Sequence, residues 1–337
     1  MKKLFILILF VTSLLSFSKK ELVKIYEKTG SPVAKAMLAK IYFKEKNYKL
    51  SEKYIKELLL SKQVPQEVKK ELSTYLEAVK EKKGLNIKVS VGLLYDSNLN
   101  NERKKEKRIN DMAHIEQACI SAYFENEDIY ANINAKVQAR NYILHNEYNF
   151  IYTDIDAELL YFTEYINPAI EIKFEHLTDE NALNGEVNIK LEKNFSYLIA
   201  GIESINGYYK VDNMTFKRYG GGIYGEILNK KLKLRGTFSV YKDDTNAIGY
   251  DNTNYKSQID FGWNFTKDDT IDIKYYYVLS DFATYLSHSH HFDFILTTRE
   301  SKHFYYSIGT GYYYKSDSLS DDPLVKYTIF AEFIYSF

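Results

Sequence analysis

The stretch YKSQIDFGWNFT, Tyr255 to Thr266, alternates in character residue by residue. Tyr255, Ile259, Phe261, Trp263 and Phe265 fall on one face, with Ser257 the exception. Lys256, Gln258, Asp260, Asn264 and Thr266 fall on the other. A period of two is the mark of a strand that is apolar on one side only. The same pattern recurs along the chain. Ile129, Ala131, Ile133, Ala135, Val137 and Ala139 oppose Asn132, Asn134, Lys136, Gln138 and Arg140. Val187, Ile189 and Leu191 oppose Glu186, Asn188, Lys190 and Glu192. The last run sets Tyr327, Ile329, Ala331, Phe333, Tyr335 and Phe337 on one face.

About fourteen such runs follow Asn86, mostly about 10–14 residues long, which suits a tilted strand crossing a bilayer better than a soluble strand. Connections read as alternately tight (Asn126-Glu127, Asn229-Lys230, Lys267 to Asp269, Glu300-Ser301) and long (Ser97 to Asp111, Lys242 to Thr253, Lys315 to Pro323). Short turns on one side and longer loops on the other are a barrel signature. Within lipid every backbone N–H and C=O must be paired inside the protein, which only helices and closed sheets achieve. The apolar faces carry almost no charge, whereas the opposite faces hold Lys136, Arg140, Asp154, Asp156, Glu158, Lys190, Lys233, Arg235, Asp260, Lys274 and Glu332. A lysine or arginine turned to lipid at the midplane would cost about 2–4 kcal/mol, so this segregation is what lipid contact demands.

Composition agrees. The 337 residues include 32 Tyr and 20 Phe but only four Pro, which favours long, uninterrupted strands. Clusters such as Tyr275-Tyr276-Tyr277 and Tyr312-Tyr313-Tyr314 read as aromatic girdles. Forty-five basic residues balance 45 acidic ones, so no basic face for nucleic acid is expected. The lone Cys119 excludes an intrachain disulfide and falls on the polar face. The expected fold is mainly β: an antiparallel transmembrane barrel of about fourteen strands over residues 84–337, behind a small helical domain.

Residues 1–18, MKKLFILILFVTSLLSFS, read as a cleaved secretory signal: a basic start, an apolar core, then small residues. Residues 19–83 read as helices, expected in the periplasm, with breaks at Gly30-Ser31, Asn47 and Pro65 and a stop at Gly84. The middle pair is similar to a tetratricopeptide hairpin, with Leu38, Ala39, Tyr42, Ser51, Ile55 and Leu58 at its packing positions.

Sharper motifs point to little chemistry. Asp96, Asn98 and Asn100 match the first ligand positions of a calcium loop, but Asn101 stands where glycine is needed and Lys107 where glutamate is needed. Turn-forming polar residues are expected there, with no metal. His288, His290 and His291 cluster near a proposed outer loop, with His288 and His290 pointing the same way; a hydrated loop is expected rather than a metal or haem contact. Gly220-Gly221-Gly222 lies inside a strand and is expected to mark a bend or bulge. No nucleophile triad, phosphate loop or paired-carboxylate signature stands out, so no enzyme and no cofactor are expected.

The order of features resembles one family. A signal precedes a tetratricopeptide-like hairpin; a helix from Pro65-Gln66-Glu67-Val68 through Tyr75-Leu76 and Val79 then runs into GLNIKVSVGLLYDSNLNN. This is similar to the surface lipoprotein assembly modulator (Slam) family, and the junction helix together with YDSNLNN, Tyr95 to Asn101, including Tyr95, Asp96, Ser97 and Asn98 at the barrel rim, carries most of the likeness. The helical part is shorter here than is common in that family. The resemblance implies outer-membrane translocation of a client lipoprotein or small secreted protein to the cell surface, without covalent catalysis. A passive porin-like channel for small polar solutes is the alternative. It also implies a client-binding helical face, for which Val33, Ala36, Lys40, Phe43 and Lys44 are the candidates, and a barrel-assembly signal at Phe333, Tyr335 and Phe337 read by the barrel-assembly machinery. The expected partners are thus the client, that machinery and outer-membrane lipid.

Overall fold

The computed structural model describes residues 19–337, apart from 62–63, 82–84, 126–128, 164–165, 179–181, 195–197, 212–213, 229–230, 248–249 and 267. The expected signal (residues 1–18), the Gly84 stop and the turns at Asn126-Glu127, Asn229-Lys230 and Lys267 lie outside the described residues.

Four helices come first: α1 (Lys19–Thr29), α2 (Pro32–Lys44), α3 (Tyr48–Leu60) and α4 (Gln66–Glu81). Local chemistry sets their ends. Gly30 takes a left-handed φ of 63°, Ser31 caps α2 through Ala34 N–H, and Pro32 occupies the first turn. Asn47 caps α3 through Leu50 N–H. Leu22, Leu38, Ala39, Tyr42, Ile55, Leu58, Leu72 and Val79 turn inward and are buried. The hairpin positions read from the sequence are therefore interior, as in any antiparallel helix pair with an apolar seam.

Fourteen strands then close on themselves: β1 (Leu85–Asp96), β2 (Asp111–Glu125), β3 (Ile129–Tyr142), β4 (Phe150–Tyr161), β5 (Asn167–Leu177), β6 (Ala182–Asn194), β7 (Leu198–Val211), β8 (Met214–Leu228), β9 (Leu232–Thr245), β10 (Asn252–Asn264), β11 (Asp269–Phe282), β12 (Leu286–Arg299), β13 (Phe304–Asp317) and β14 (Ser320–Ser336). Each pairs antiparallel with its neighbours, and β1 closes on β14 from Lys88↔Ser336 to Asp96↔Thr328. The apolar positions point outward: Ile259 is 52% exposed and Phe333 58%, while the intervening polar residues face the lumen. Closure leaves no edge strand, so the wall satisfies its own backbone. No helix among the described residues is long and apolar enough to cross a membrane.

Three local expectations need correction. The loop read over Lys315 to Pro323 is instead a continued hairpin, with β13 running to Asp317 and β14 starting at Ser320. A single register shift between Lys315 and Asp317 absorbs the irregularity. Past the apolar band the ladder continues but no longer needs alternation, so the sequence signal fades before the strand does. The loop read over Lys242 to Thr253 shrinks to 246–251 for the same reason. The glycines at 220–222 make no bulge, since β8 keeps unbroken register on both sides. A Cβ on Gly220 would lie 2.3 Å from Val240 O and 2.5 Å from Tyr241 Cα, so glycine there permits a close approach of β9.

Candidate functional site: the lumen and its two ends

The barrel's two ends differ. At one end lie the longest connections, 97–110, 143–149 and 246–251; at the other the helices are docked. The helical end is built by the α2–α3 corner. Lys46 sits at a left-handed φ of 63°, in the position after a helix where glycine is usual. Its N–H reaches Phe43 O and that of Asn47 reaches Tyr42 O, which satisfies the last carbonyls of α2. The turn aims three groups at the barrel. Lys46 Nζ lies 2.5 Å from Glu158 Oε2. Lys49 N–H donates to both oxygens of Glu125, at 2.8 and 2.9 Å. Tyr48, only 7% exposed, meets Tyr123 and Tyr130 edge-on at 5.8 and 6.1 Å. Burial alone would depress the Lys46 pKa; the Glu158 carboxylate outweighs it and holds the ammonium above its ordinary value.

Tyr130, Leu160 and Ala169 belong to the lumenal face of β3, β4 and β5, yet they are buried in one apolar cluster with Ile55, Leu58, Leu72 and Val79. The helical core and this sector of the barrel mouth are therefore a single packed unit. No sequence motif announced it. The available signal was apolar residues on the lumenal face, and Leu94, Ala113 and Ile115 give the same signal at the other end, where they pack with Leu99 and Ile109.

The candidate client face has a neighbour of its own. Lys40 Nζ lies 3.0 Å from Glu71 Oε1 on α4, and Phe43 packs edge-on against Tyr75 at 5.5 Å. Ala36 packs on the same helical core and Val33 on the smaller α1–α2 core. Lys44 ends α2, and its side chain lies outside the described residues. Tyr75, sealed under α2, has its hydroxyl pKa pushed up to about 12 by burial, with Glu71 adding to it. Lys40 and Phe43 of this face therefore touch α4, while Val33 packs towards α1 and Lys40 stays partly exposed.

At the other end, Asp96, Ser97 and Asn98 close the β1–β14 seam. Asp96 Oδ1 accepts from Asn98 N–H at 3.0 Å, and Lys326 Nζ approaches Asp96 Oδ2 at 2.7 Å. Asn98, fully buried, donates to Glu102 O and Val325 O and accepts from Glu102 N–H. Ser97 Oγ accepts from Tyr327 N–H at 2.7 Å, and Tyr95 continues the outward apolar face. Arg103 and Arg108 reach across to Asp322 O and Pro323 O, and Arg103 also pairs with Asp317. At the far end of the seam Phe337 N–H donates to Ile87 O at 2.9 Å. These polar side chains staple the seam together. Phe333, Tyr335 and Phe337 all face outward.

Between the ends the lumen is lined by ion pairs lying flat on the wall. Lys190 Nζ is 2.8 Å from Glu171. Arg218 holds Asp243 with two nitrogens, at 2.7 and 2.9 Å, sandwiched between the rings of Tyr209 and Tyr241. Lys190, Glu171, Arg218 and Tyr241 border a polar cavity of about 270 Å³, with Arg235, Lys256 and Asp260 also on its wall. Lys256 Nζ sits 5.2 Å over the Tyr276 ring. Paired charges of both signs hydrate a passage without committing it to one ion sign.

The histidine cluster is split by the wall. His288 and His290 turn outward, and Tyr275 OH meets His290 Nδ1 at 2.8 Å. His291 turns inward, 2.8 Å from Asp293 and stacked on Tyr276. Among the described residues no three metal-capable groups converge. The tyrosine triplets divide in the same way, with Tyr276 and Tyr313 facing the lumen and their neighbours the girdle. Cys119 lies half-buried on the lumenal face, where Gln117 donates to its sulfur at 3.3 Å.

A closed, even-stranded, antiparallel wall with an apolar outside and an ionic inside defines an outer-membrane β-barrel. No family model matches the chain, and no curated protein matches it. Solved structures similar to it include a loop-L8 deletion mutant of OmpT, an outer membrane protein of Vibrio cholerae, at 8% identity and a TM-score of 0.49 over 75% of this chain and 98% of that one. OccAB4 of Acinetobacter baumannii is 8% identical with a TM-score of 0.41 over 76% and 99%. A BenF-like porin from Pseudomonas fluorescens Pf-5 is 9% identical with a TM-score of 0.42 over 75% and 98%.

Proposed function

We propose that this barrel passes a polypeptide client, a surface lipoprotein or a small secreted protein, across the outer membrane without covalent catalysis. In this reading residues 1–18 are a signal peptide, residues 19–83 stand in the periplasm, and residues 97–110 lie at the cell surface. The observation that carries it is the docking of the α2–α3 corner into the lumenal rim. A client handed to the helices is delivered at the mouth of a polar conduit. The family resemblance through Tyr95 to Asn98 and the helix before β1 points the same way. Client contact through Val33, Ala36, Lys40, Phe43 and Lys44 would compete with the contacts that Lys40 and Phe43 make with α4. Phe333, Tyr335 and Phe337 would serve the barrel-assembly machinery on the way to the membrane.

The second reading is a passive channel for small polar solutes, favoured by the wall-bound ion pairs and the polar cavity. Deleting residues 19–83 separates the two. An exporter should lose surface display of its client while the barrel still assembles, as judged by heat-modifiable migration. A passive channel should retain its conductance in planar bilayers, and surface proteins should be displayed normally. Full display without the helices would sink the export reading.

A further inference from the structure

We propose that the loop-end rim of β7, β8 and β9 binds the phosphorylated headgroup of a membrane glycolipid from outside the barrel. The proposal rests on placing this end of the barrel at the cell surface.

The lipid-facing positions here form ordered rows. Tyr208, Lys217 and Asp244 share one; Asn206, Tyr219 and Lys242 share the next one inward. Lys210 stands one outward step beyond Tyr208, opposite Thr215. Lys210 and Lys217, and Lys217 and Lys242, are therefore diagonal neighbours along three successive strands, a basic row long enough to meet the separate phosphates of one headgroup. Among the described outward positions in the loop-end half of the wall, lysine occurs at these three places alone. Elsewhere that rim carries groups such as Tyr95, Met112, Asn141 and Asp281.

Part of the cluster is already fixed in place. Asp244 pairs with Lys242 at 2.6 Å and accepts from Tyr219 OH at 3.0 Å. Among the described outward residues of β7, β8 and β9 at this rim, one aspartate stands against three lysines. Among the described residues no ion pair forms on Lys210 or Lys217. Tyr208 and Tyr219 are both exposed and suit the boundary between headgroup and hydrocarbon.

Nearer the midplane the wall changes in a way that fits the rest of such a lipid. Asn206 Nδ2 donates to Ser204 Oγ at 3.3 Å, placing polar groups on the lipid face where sugar and acyl-linkage oxygens would lie. Four residues further from the rim than Ser204, Ala200, Gly225 and Gly236 form a row without side-chain bulk. A Cβ on Gly236 would meet nothing within 4 Å, and one on Gly225 would make only ordinary contacts. Packing does not require glycine at either place, although glycine weakens a strand. The bare row gives an acyl chain a place to lie against the wall. Basic groups at the surface, tyrosine and amide below them and bare backbone deeper repeat the order of phosphate, sugar and acyl chain.

The test uses the full chain in detergent with bis-phosphorylated lipid A, bound lipid being read by native mass spectrometry. K210Q/K217Q/K242Q should lower bound lipid A by about tenfold or more, since lysines at an anionic surface contribute additively. K104Q/K105Q/K107Q removes the same charge from the exposed 97–110 loop and should bind as wild type does. Dephosphorylated lipid A should bind weakly, and equally to wild type and to the rim variant. Undiminished lipid A on the assembled rim variant, or an equal loss in the loop variant, would overturn the proposal. Gly225→Leu with Gly236→Leu should lower retention with the barrel intact; unchanged retention would remove the bare row from the site. A protease-site tag between Lys104 and Lys107 in whole cells reads the orientation separately. An inaccessible tag alongside rim-dependent binding would refute the surface placement and leave the phosphate site standing.

Discussion

The helical cap and the barrel wall use the same apolar residue types and face them in opposite directions. In the cap, Leu22, Leu38, Ile55 and Leu72 turn inward, away from water. In the wall, Val91, Ile133, Ile189 and Ile259 turn outward, towards hydrocarbon, and the ionic residues turn in. The rule is the same in both, because apolar surface goes wherever water is absent. The barrel breaks its own pattern at Tyr130, Leu160 and Ala169, where the cap covers lumenal apolar residues, and at Leu94, Ala113 and Ile115, which pack with Leu99 and Ile109 of the 97–110 loop. An apolar residue on the polar face of a barrel therefore marks a place where protein stands in for water.

Three sets of substitutions probe that contrast, in decreasing order of expected effect. Tyr48→Ala removes the ring that joins cap to mouth; losing a buried aromatic side chain costs about 3–5 kcal/mol. Limited proteolysis should then cut the helices while the barrel keeps its heat-modifiable migration. Helices as resistant as wild type would mean that the joint is held elsewhere. Ile259→Arg turns a cation to lipid and should cost about 2–4 kcal/mol. Its assembled fraction should fall well below that of Asp260→Arg, one residue away on the lumenal face. Equal tolerance of the two would show that the facing of β10 is reversed. The smallest effect concerns Lys46. Lys46→Ala and Lys46→Gly both remove the pair with Glu158, but glycine also relieves the left-handed backbone, worth about 1 kcal/mol. Helices docked more stably in the glycine variant, measured by hydrogen exchange, would support that reading; identical protection would mean that the turn is unstrained.

Much of this architecture was legible residue by residue. Strand facing in β3, β6, β10 and β14 followed from period two, since a lipid-facing strand cannot hide an error in its own alternation. Helix ends at Gly30, Ser31 and Asn47 followed from local cap chemistry. The calcium-like run at Asp96 was rightly read as a turn, but not as the staple of the seam, because its partners Val325 and Lys326 are more than two hundred residues away in sequence. The end of β13 was misread because alternation reports the solvent beside a strand and not the strand itself. The histidines read as one cluster lie on two sides of a wall, a division that alternation implied for His290 and His291.

The sequence by itself determined which residues meet lipid and which meet the lumen, because that choice is made one side chain at a time by the solvent on each face. Only the tertiary structure decided where the cap seats, that Lys40 and Phe43 meet α4, and that Lys210, Lys217 and Lys242 share one rim. Those outcomes depend on register and closure, which bring together residues whose separation in the chain carries no periodic signal.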